Sequence, residues 1–399
     1  MLDIWPPLPI LVVKRAYQHL HSEVHEDNLI AAVERHDRVS VIDIDGLTCR
    51  QLERVAAMMQ EPFPTLTYLR LSSSDEEAAP TFPITFMGGA APLLRHLYLK
   101  GISFPTLPNL VLSPTDITTL NLHAIPSTGY ISPREMVAFL SPLIRLERVA
   151  IEFKSPHPPP DPSSAHVIPS TCALLPALEV FQFKGVSEYL EDMVSHIDAP
   201  LLNRLEAIVF NQLNFTIPRT SQFIQRVETL KSLDKAALIF DSRFIEIQFF
   251  HGGTPSLLLH IPCSPSDWQL SSVVQLCSPP LPLLSTVEWL YIHESKESPQ
   301  RWQYDRDHEQ WPEILQSFTS VRELYISHTM WPLLAPTLQQ HTGEWTMDVL
   351  PMLCGIFLEG LKPSEKLPET IEPVVTAHKL AGRPVIVHRL EGGVWKTIN

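Results

Sequence analysis

A short pattern of apolar positions recurs along the whole chain. Apolar residues occupy its first, fourth and sixth positions, and ten clear copies start 23 to 34 residues apart, with one longer gap of 82 residues. The copies are Val39-x-x-Ile42-x-Ile44, Leu66-x-x-Leu69-x-Leu71, Leu94-x-x-Leu97-x-Leu99, Ile117-x-x-Leu120-x-Leu122, Leu146-x-x-Val149-x-Ile151, Leu178-x-x-Phe181-x-Phe183, Leu205-x-x-Ile208-x-Phe210, Val287-x-x-Leu290-x-Ile292, Val321-x-x-Leu324-x-Ile326 and Leu353-x-x-Ile356-x-Leu358. Because side chains of a strand alternate between its faces, each copy predicts a strand with one buried face.

Such a strand cannot bury its apolar face alone, so the spacing of the copies predicts the fold. A period of this size is typical of leucine-rich repeats, in which neighbouring units stack and share one core. Helical stretches separate the copies: residues 27–38 have an apolar stripe, and 132–135 have the pattern of a capping box with Pro133 at the first helical position. We therefore predict an α/β leucine-rich-repeat solenoid, a horseshoe with one curved parallel sheet and outer helices.

The repeats divide the chain into predicted segments. Two β-rich runs flank a Gly-Gly turn at 252–253, which predicts a hairpin over 244–261 that projects from the solenoid between repeats. Near the start of the chain, the run 10–20 has the length and composition of one helix. The predicted segments are an N-terminal linker or cap at 1–26, the solenoid with its hairpin insertion at 27–362, and a C-terminal cap with a helix and a strand at 363–399.

Composition and charge narrow the class of function. A hydrophobic content of 44% with 19% charged residues is typical of globular proteins, and a net charge of −14 argues against binding to a nucleic-acid backbone. The five cysteines are odd in number and lack metal-ligand spacing, which suits a reducing compartment. No signal peptide opens the chain, and no apolar run approaches the about 18 residues of a membrane span. We expect a soluble monomer, cytoplasmic or nuclear, with no nucleic-acid or membrane partner.

Few residues have the pattern of a catalytic or cofactor site. His19, His21 and His25 supply imidazoles, but no cysteine or further well-placed ligand accompanies them. Asp43 and Asp45 alternate with buried isoleucines, so we interpret them as outward residues of the first strand and not as metal ligands. Nucleophile-elbow, phosphate-loop and zinc-protease motifs do not occur in the sequence. We expect no enzyme activity, no cofactor and no metal.

The outward positions of the strands are the candidate binding residues. In each copy the third, fifth and seventh positions face away from the core, and in the copy at Leu205 this rule places Ala207 and Val209 there. Exposed Trp and Tyr carry much of the energy at protein interfaces. We predict that an unknown protein partner binds the concave face through Trp289, Tyr291, Tyr325, Phe357, Tyr98 and Tyr68. The sequence leaves one alternative open, that C-terminal segments fold back and bury these rings, for which the helical segment 370–380 is suitable.

Several segments resemble a known family. They are NLIAAVERHDRV at 28–39, the hairpin followed by PSDWQLSS at 265–272, AHKLAGRPVIVH at 377–388, and the opening WPPLPI at 5–10. They are similar to F-box/leucine-rich-repeat proteins of mushroom-forming fungi, the basidiomycetes, and the resemblance covers nearly the whole chain. It implies a protein-interaction scaffold that corresponds to the substrate-recognition arm of a cullin-type (SCF) ubiquitin ligase.

The chain departs from that family at two points. The F-box is not recognisable ahead of the repeats, so we expect a cullin-ligase adaptor as partner only if an F-box is supplied upstream. Many leucine-rich repeats also carry Asn or Cys two residues beyond each strand, where this chain has Ile102, Ile125, Val186 and Leu213, so we expect packing to hold that turn. The alternative function is a stand-alone structural or regulatory repeat protein unrelated to ubiquitination.

Overall fold

The chain folds into two compact units, Met1–Leu202 and Asn203–Asn399. Each unit is mixed α/β, with helices and a mostly parallel sheet, as the sequence predicted at this level. The computed structural model describes residues 8–15, 23–75, 78–83, 85–103, 116–156, 172–210, 216–263, 266–277, 281–295, 310–339, 349–361, 367–391 and 394–397.

The first unit is built on strands that lie side by side in chain order. All pairs in its main sheet are parallel, and two short strands pair separately. The main strands are β1 (Ile10–Lys14), β2 (Val39–Leu47), β3 (Tyr68–Ser73), β4 (His96–Lys100), β5 (Thr119–Ile125), β6 (Arg148–Phe153) and β8 (Val180–Gly185), and the short pair is β7 (Ala173–Leu174) with β9 (Ile197–Asp198). The helices are α1 (Glu23–Val33), α2 (Cys49–Met58), α3 (Pro133–Leu140) and α4 (Ser187–Val194).

The register of these strands stacks the apolar positions of one copy on those of the next. Leu69 aligns with Leu97, and Leu97 aligns with Leu120. All three side chains are fully buried. The predicted pairing of the copies at Leu94 and Ile117 is therefore confirmed, and burial of the stacked rows accounts for much of the stability of the unit.

Side-chain caps begin two of the helices. Ser132 Oγ accepts the N–H of Glu135 at 3.3 Å, and the Glu135 carboxylate accepts the N–H of Ser132 at 3.0 Å, which confirms the predicted capping box. Thr48 and Gln51 form an equivalent box at α2. Each box satisfies backbone donors that the first helical turn leaves unpaired, which fixes where the helix begins.

The prediction of a helix over 10–20 is wrong for its first half. Residues Ile10–Lys14 form β1, which pairs in parallel with β2 and buries Val12 beside Ile42. The open edge of β2 offers unpaired backbone groups, and a short run rich in β-branched residues fits that edge better than a helix. Residues 16–22, which include His19 and His21, lie outside the described part of the chain.

Two of the four apolar turn residues, Ile102 and Ile125, are buried as expected at the ends of β4 and β5, whereas Val186 is half-buried and Leu213 lies outside the described residues. Ile102 and Ile125 are 5% and 7% exposed. The residue before each has a left-handed backbone, with φ of 67° at Gly101 and 48° at Ala124. The left-handed residue turns the chain out of the strand and brings the following apolar side chain into the core.

The second unit has a different strand order. Its sheet runs β10-β13-β12-β11-β14-β15-β16-β17-β18, and β12 and β18 run antiparallel to their neighbours. The strands are β10 (Arg204–Val209), β11 (Lys235–Phe240), β12 (Phe244–His251), β13 (Thr254–Pro262), β14 (Trp289–Glu294), β15 (Glu323–Ser327), β16 (Gly355–Glu359), β17 (Ile386–Glu391) and β18 (Val394–Thr397). The helices are α5 (Pro218–Arg226), α6 (Glu228–Lys231), α7 (Ser266–Cys277), α8 (Trp311–Leu315), α9 (Trp331–Gln339) and α10 (Ile371–Leu380).

The predicted hairpin exists, but it does not project. Its strands β12 and β13 pair antiparallel and fill the place between β10 and β11 in the sheet. Ile245, Ile247 and Phe249 on one strand, with Leu257 and Leu259 on the other, are buried on one face. A projecting hairpin would leave this apolar face in water, so insertion into the sheet is the favoured arrangement.

For the copy of the motif at Leu205, the prediction of which residues face outward is wrong. Leu205, Ala207 and Val209 are buried and Ile208 is not, so Ala207 and Val209 face the core instead of the outward side. In a strand, an error of one position exchanges the two faces. Leu202 is also buried, which indicates that the motif begins there, three residues before its predicted start.

Candidate functional site

The outward face of the second unit carries aromatic rings on neighbouring strands. Trp289 and Tyr291 lie on β14 and alternate with buried residues, so both point away from the core. The register aligns Tyr291 with Tyr325 of β15, and Tyr325 with Phe357 of β16. The parallel pairing therefore brings together three of the four aromatic residues that the sequence singled out in the last copies.

These rings are stacked face to face. The ring centroids of Tyr291 and Tyr325 are 4.4 Å apart with planes at 16°, and those of Tyr325 and Phe357 are 4.4 Å apart at 12°. The imidazole of His388 on β17 continues the stack, 4.5 Å from Phe357 at 12°. Neighbouring strands lie about 4.8 Å apart, so rings at one register position necessarily come to stacking distance. We call Tyr291, Tyr325, Phe357 and His388 the aromatic column.

Sequence reasoning missed His388. The residue aligns with Phe357 because β17 pairs in parallel with β16, although β17 does not follow the six-residue motif. Val385 and Val387 are buried and alternate with Ile386 and His388. That alternation is the signal that would have placed His388 on the outward face.

Part of the column is covered by a C-terminal segment, the strand β18, and not by the helix at 370–380. The ring of Trp395 on β18 stands edge-on to Tyr325 at 5.8 Å and to Phe357 at 5.1 Å. The helix α10, by contrast, packs against α9, and Thr370 beside its start accepts a hydrogen bond from Trp331 Nε1 at 2.8 Å. The alternative that C-terminal segments cover the rings is therefore correct in part, because β18 covers two of them while the helix at 370–380 packs elsewhere.

Trp289 belongs to the same face but lies outside the column. The register places it beside Lys235 of β11 and Glu323 of β15, one row away from Tyr291. The Lys235 ammonium lies 5.2 Å from the centroid of its ring, within the range of a cation–π contact. Trp289 and Tyr291 form the end of the aromatic surface farthest from β18 in the strand order.

The phenols of the column are held neutral. The Tyr325 hydroxyl donates to Glu323 Oε2 at 2.7 Å, and burial together with that carboxylate raises the pKa of Tyr325 well above its ordinary value. Burial, with Glu323 and Glu359 nearby, also raises the pKa of Tyr291. The tyrosine and phenylalanine rings of the column therefore form an uncharged surface bordered by Glu323 and Glu359, suited to an apolar or cationic group of a partner.

The outward face of the first unit holds the other two predicted residues, Tyr68 and Tyr98. The Arg70 guanidinium lies 4.7 Å from the ring centroid of Tyr98, whose other neighbour is His123 at 4.9 Å. The rings of Tyr68 and His96 are 6.0 Å apart and tilted. These two tyrosines therefore mix with charged and imidazole side chains and do not form a stack of their own.

Ion pairs organise this face. Arg70 lies 3.8 Å from Asp43 and 3.5 Å from Asp45, which bears out the interpretation of both aspartates as outward strand residues. His123 Nδ1 lies 2.9 Å from Glu152 Oε2, and that hydrogen bond lowers the pKa of Glu152 against the opposing effect of burial. Charge-assisted contacts of this kind fix side-chain geometry but contribute little net stability at a half-exposed surface.

Few other described residues have an arrangement typical of metal binding or nucleophilic catalysis. Within those residues, no group of three or more His, Cys, Asp or Glu is arranged to hold a metal ion. The thiols of Cys263 and Cys277 are buried, which raises their pKa to about 11 and about 12. A thiol with such a pKa stays protonated near neutral pH and is a poor nucleophile.

Comparison with known proteins leaves the site to be interpreted from its own geometry. No protein-family model matches the chain, and no curated protein matches its sequence. Among the described helices, none combines the length and apolar character needed to cross a membrane.

Proposed function

We propose that this chain is a protein-binding scaffold of the leucine-rich-repeat type, whose partner docks on the outward face of the second unit. The aromatic column is the observation that carries the proposal. Stacked, half-exposed tyrosine and phenylalanine rings are not needed for the core, which the alternate residues already form. Aromatic side chains of this kind dominate the energy of protein interfaces.

The repeat architecture is supported by the pairing of successive motif copies. Copies such as those at Leu94 and Ile117, or at Val287 and Val321, form adjacent parallel strands with their apolar positions aligned. In a horseshoe-shaped solenoid each such unit packs only against its neighbours, so every added unit extends the same core. Its concave face would be the one that carries the column.

The open end of the column is the docking point that we favour. Trp395 stands over Tyr325 and Phe357, whereas Trp289 and Tyr291 lie at the other end. Glu323 and Glu359 border the rings, so a partner segment that offers an apolar or aromatic side chain next to a Lys or Arg would complement this surface.

The connection to ubiquitination rests on the resemblance to basidiomycete F-box/leucine-rich-repeat proteins. On that basis we propose that the scaffold corresponds to a substrate-recognition arm, in the cytoplasm or nucleus. Affinity capture with the full chain from a fungal extract, followed by mass spectrometry, tests the proposal. Ligase subunits among the captured proteins favour the recognition arm, whereas a partner without them favours a stand-alone repeat protein.

The docking point is tested with the captured partner in a direct binding assay. Trp289→Ala should weaken binding by about tenfold or more, as expected for a central interface tryptophan, with an unchanged melting temperature. Trp268→Ala is the matched control, since that tryptophan is 43% exposed on α7. Equal affinities for the wild type and Trp289→Ala would reject the docking point.

A further inference from the structure

A cavity of about 480 Å³ opens in the first unit, where β2 to β6 end. In parallel α/β sheets the carboxyl ends of the strands are the usual place for ligands, and this volume lies in the range of small-molecule sites, about 300–1,000 Å³. The cavity is separate from the aromatic column, which belongs to the second unit, so its role is independent of the proposed function.

Small residues with left-handed backbones create the space. Gly46, Gly101 and Ala124 lie at the carboxyl ends of β2, β4 and β5, with φ of 72°, 67° and 48°, and all three line the cavity. Ala124 adopts a conformation that residues other than glycine rarely take. Larger side chains at these positions would fill the space into which the strands open.

The carboxylates at the cavity already have partners. Asp45 lies 3.5 Å from the guanidinium of Arg70. Asp75 Oδ2 accepts the N–H of Cys49 at 2.6 Å, at the first turn of α2, where the helix dipole favours a negative charge. Both carboxylates therefore already have a partner within the protein, a guanidinium for Asp45 and a backbone N–H for Asp75.

The lysines at the cavity have no direct ion pair of this kind. Neither Lys100 nor Lys154 has a carboxylate within ion-pair distance among the residues that the structure describes, although Lys100 interacts with Glu152 at longer range. A third lysine, Lys14, donates to the carbonyl oxygens of Asp45 and Gly46 at 3.1 and 3.3 Å, next to the cavity wall. The cavity wall therefore carries two ammonium groups without a direct ion pair, beside two carboxylates that already have partners.

Serine hydroxyls supply the remaining polar groups. Ser73 Oγ accepts the N–H of Asp75 at 3.2 Å, which leaves its own proton available for a ligand. Ser74 Oγ donates to the carbonyl of Leu47 at 3.1 Å, which leaves its lone pairs available. Hydroxyl donors and acceptors beside two ammonium groups complement a molecule that carries both hydroxyl groups and an anion.

We propose that this cavity binds a small hydroxylated organic anion. Its carboxylate or phosphate group bonds to Lys100 and Lys154, and its hydroxyl groups bond to Ser73, Ser74 and the Asp75 carboxylate. Carboxylate and phosphate share the same recognition chemistry here, and the choice of probes separates them.

Calorimetry and thermal shift on the full chain test the proposal with four probes: gluconate, glucose 6-phosphate, inorganic phosphate and glucose. We expect saturable binding and a raised melting temperature with gluconate or glucose 6-phosphate, whichever anion the site prefers. Inorganic phosphate should bind at least tenfold more weakly than the better of these two, and neutral glucose should not bind. Absence of saturable binding by both hydroxylated anions, or equal binding of glucose, would overturn the proposal.

Lysine variants assign the binding to the cavity. Lys100→Gln and Lys154→Gln should each weaken binding at least tenfold without changing the melting temperature of the free protein. Lys184→Gln is the matched control, because it removes the same charge from β8 of the same unit but does not line the cavity. Equal affinities for all three variants would overturn the assignment.

Discussion

Strands of both units follow the same motif, but their outward faces differ. One face is organised by ion pairs and the other by stacked aromatic rings. In the first, Arg70 joins Asp43 and Asp45 and covers Tyr98, so charge organises the face. In the second, Tyr325 and its neighbours stack at 4.4 Å, and ring contact organises the face. The parallel motif strands pair in an equivalent register in both units, so the identity of their outward residues sets the chemistry of each face.

Each face also contains a Glu–His pair. His123 contacts Glu152 at 2.9 Å in the first unit, and His260 contacts Glu246 at 3.3 Å in the second. Both glutamates have a pKa below the ordinary value, with the histidine hydrogen bond as the largest cause. The two faces are therefore alike in this one ionic element and differ in the contacts around it, which makes them suitable for matched experiments.

The largest expected effect concerns the rows of buried leucines that each unit contains, and the loss of unfolding free energy should be of similar size in both units. Leu120→Ala and Leu324→Ala each remove a fully buried side chain from a stacked row, and each should lower the free energy of unfolding by about 2–5 kcal/mol. Urea denaturation measures the change. Leu380→Ala is the control, since that side chain is 78% exposed and its loss should cost less than about 1 kcal/mol. A melt unchanged by Leu120→Ala would contradict the repeat interpretation.

A smaller loss of unfolding free energy is expected on each face, and it should depend on salt on the first face but not on the second. Arg70→Gln removes the ion pairs and the cation–π contact of the first face and should cost about 0.5–1 kcal/mol at low salt, most of which disappears in 1 M NaCl. Tyr325→Leu removes two ring stacks of the second face and should cost about 1 kcal/mol at either ionic strength. Chemical denaturation in urea at both salt concentrations tests this contrast. The same salt dependence in both variants would refute it.

The smallest expected effect is a loss of stability at low pH, and it should occur on both faces. Because the folded-state pKa of Glu152 and of Glu246 lies below the ordinary value of 4.5, each carboxylate contributes stability above that pH. The contribution is lost as the pH falls through the lowered pKa. Glu152→Gln and Glu246→Gln should therefore each flatten the fall of the urea midpoint between neutral pH and about pH 3. Variants that kept the full pH dependence would show that other groups cause it.

The local pattern was sufficient for the strands and for most of their faces. Asp43, Tyr98, Tyr291 and Phe357 all lie on the outward side that alternation predicted, because a strand's two faces follow from its own residues. The failure at Ala207 and Val209 has the same origin. In the run from Leu202 to Phe210 apolar residues occupy both faces, so the period alone does not identify the register.

By itself, therefore, the sequence determined the periodic strands, the capped helices, the buried rows and the aromatic residues that now stand in the column. The tertiary structure decided which backbone edges meet. It inserted the hairpin of β12 and β13 into the sheet, paired β1 with β2, and brought His388 and Trp395 to the rings of Tyr325 and Phe357. Any strand offers the same hydrogen-bonding groups at its edges, so its neighbours depend on the burial that the whole unit achieves and not on a local signal.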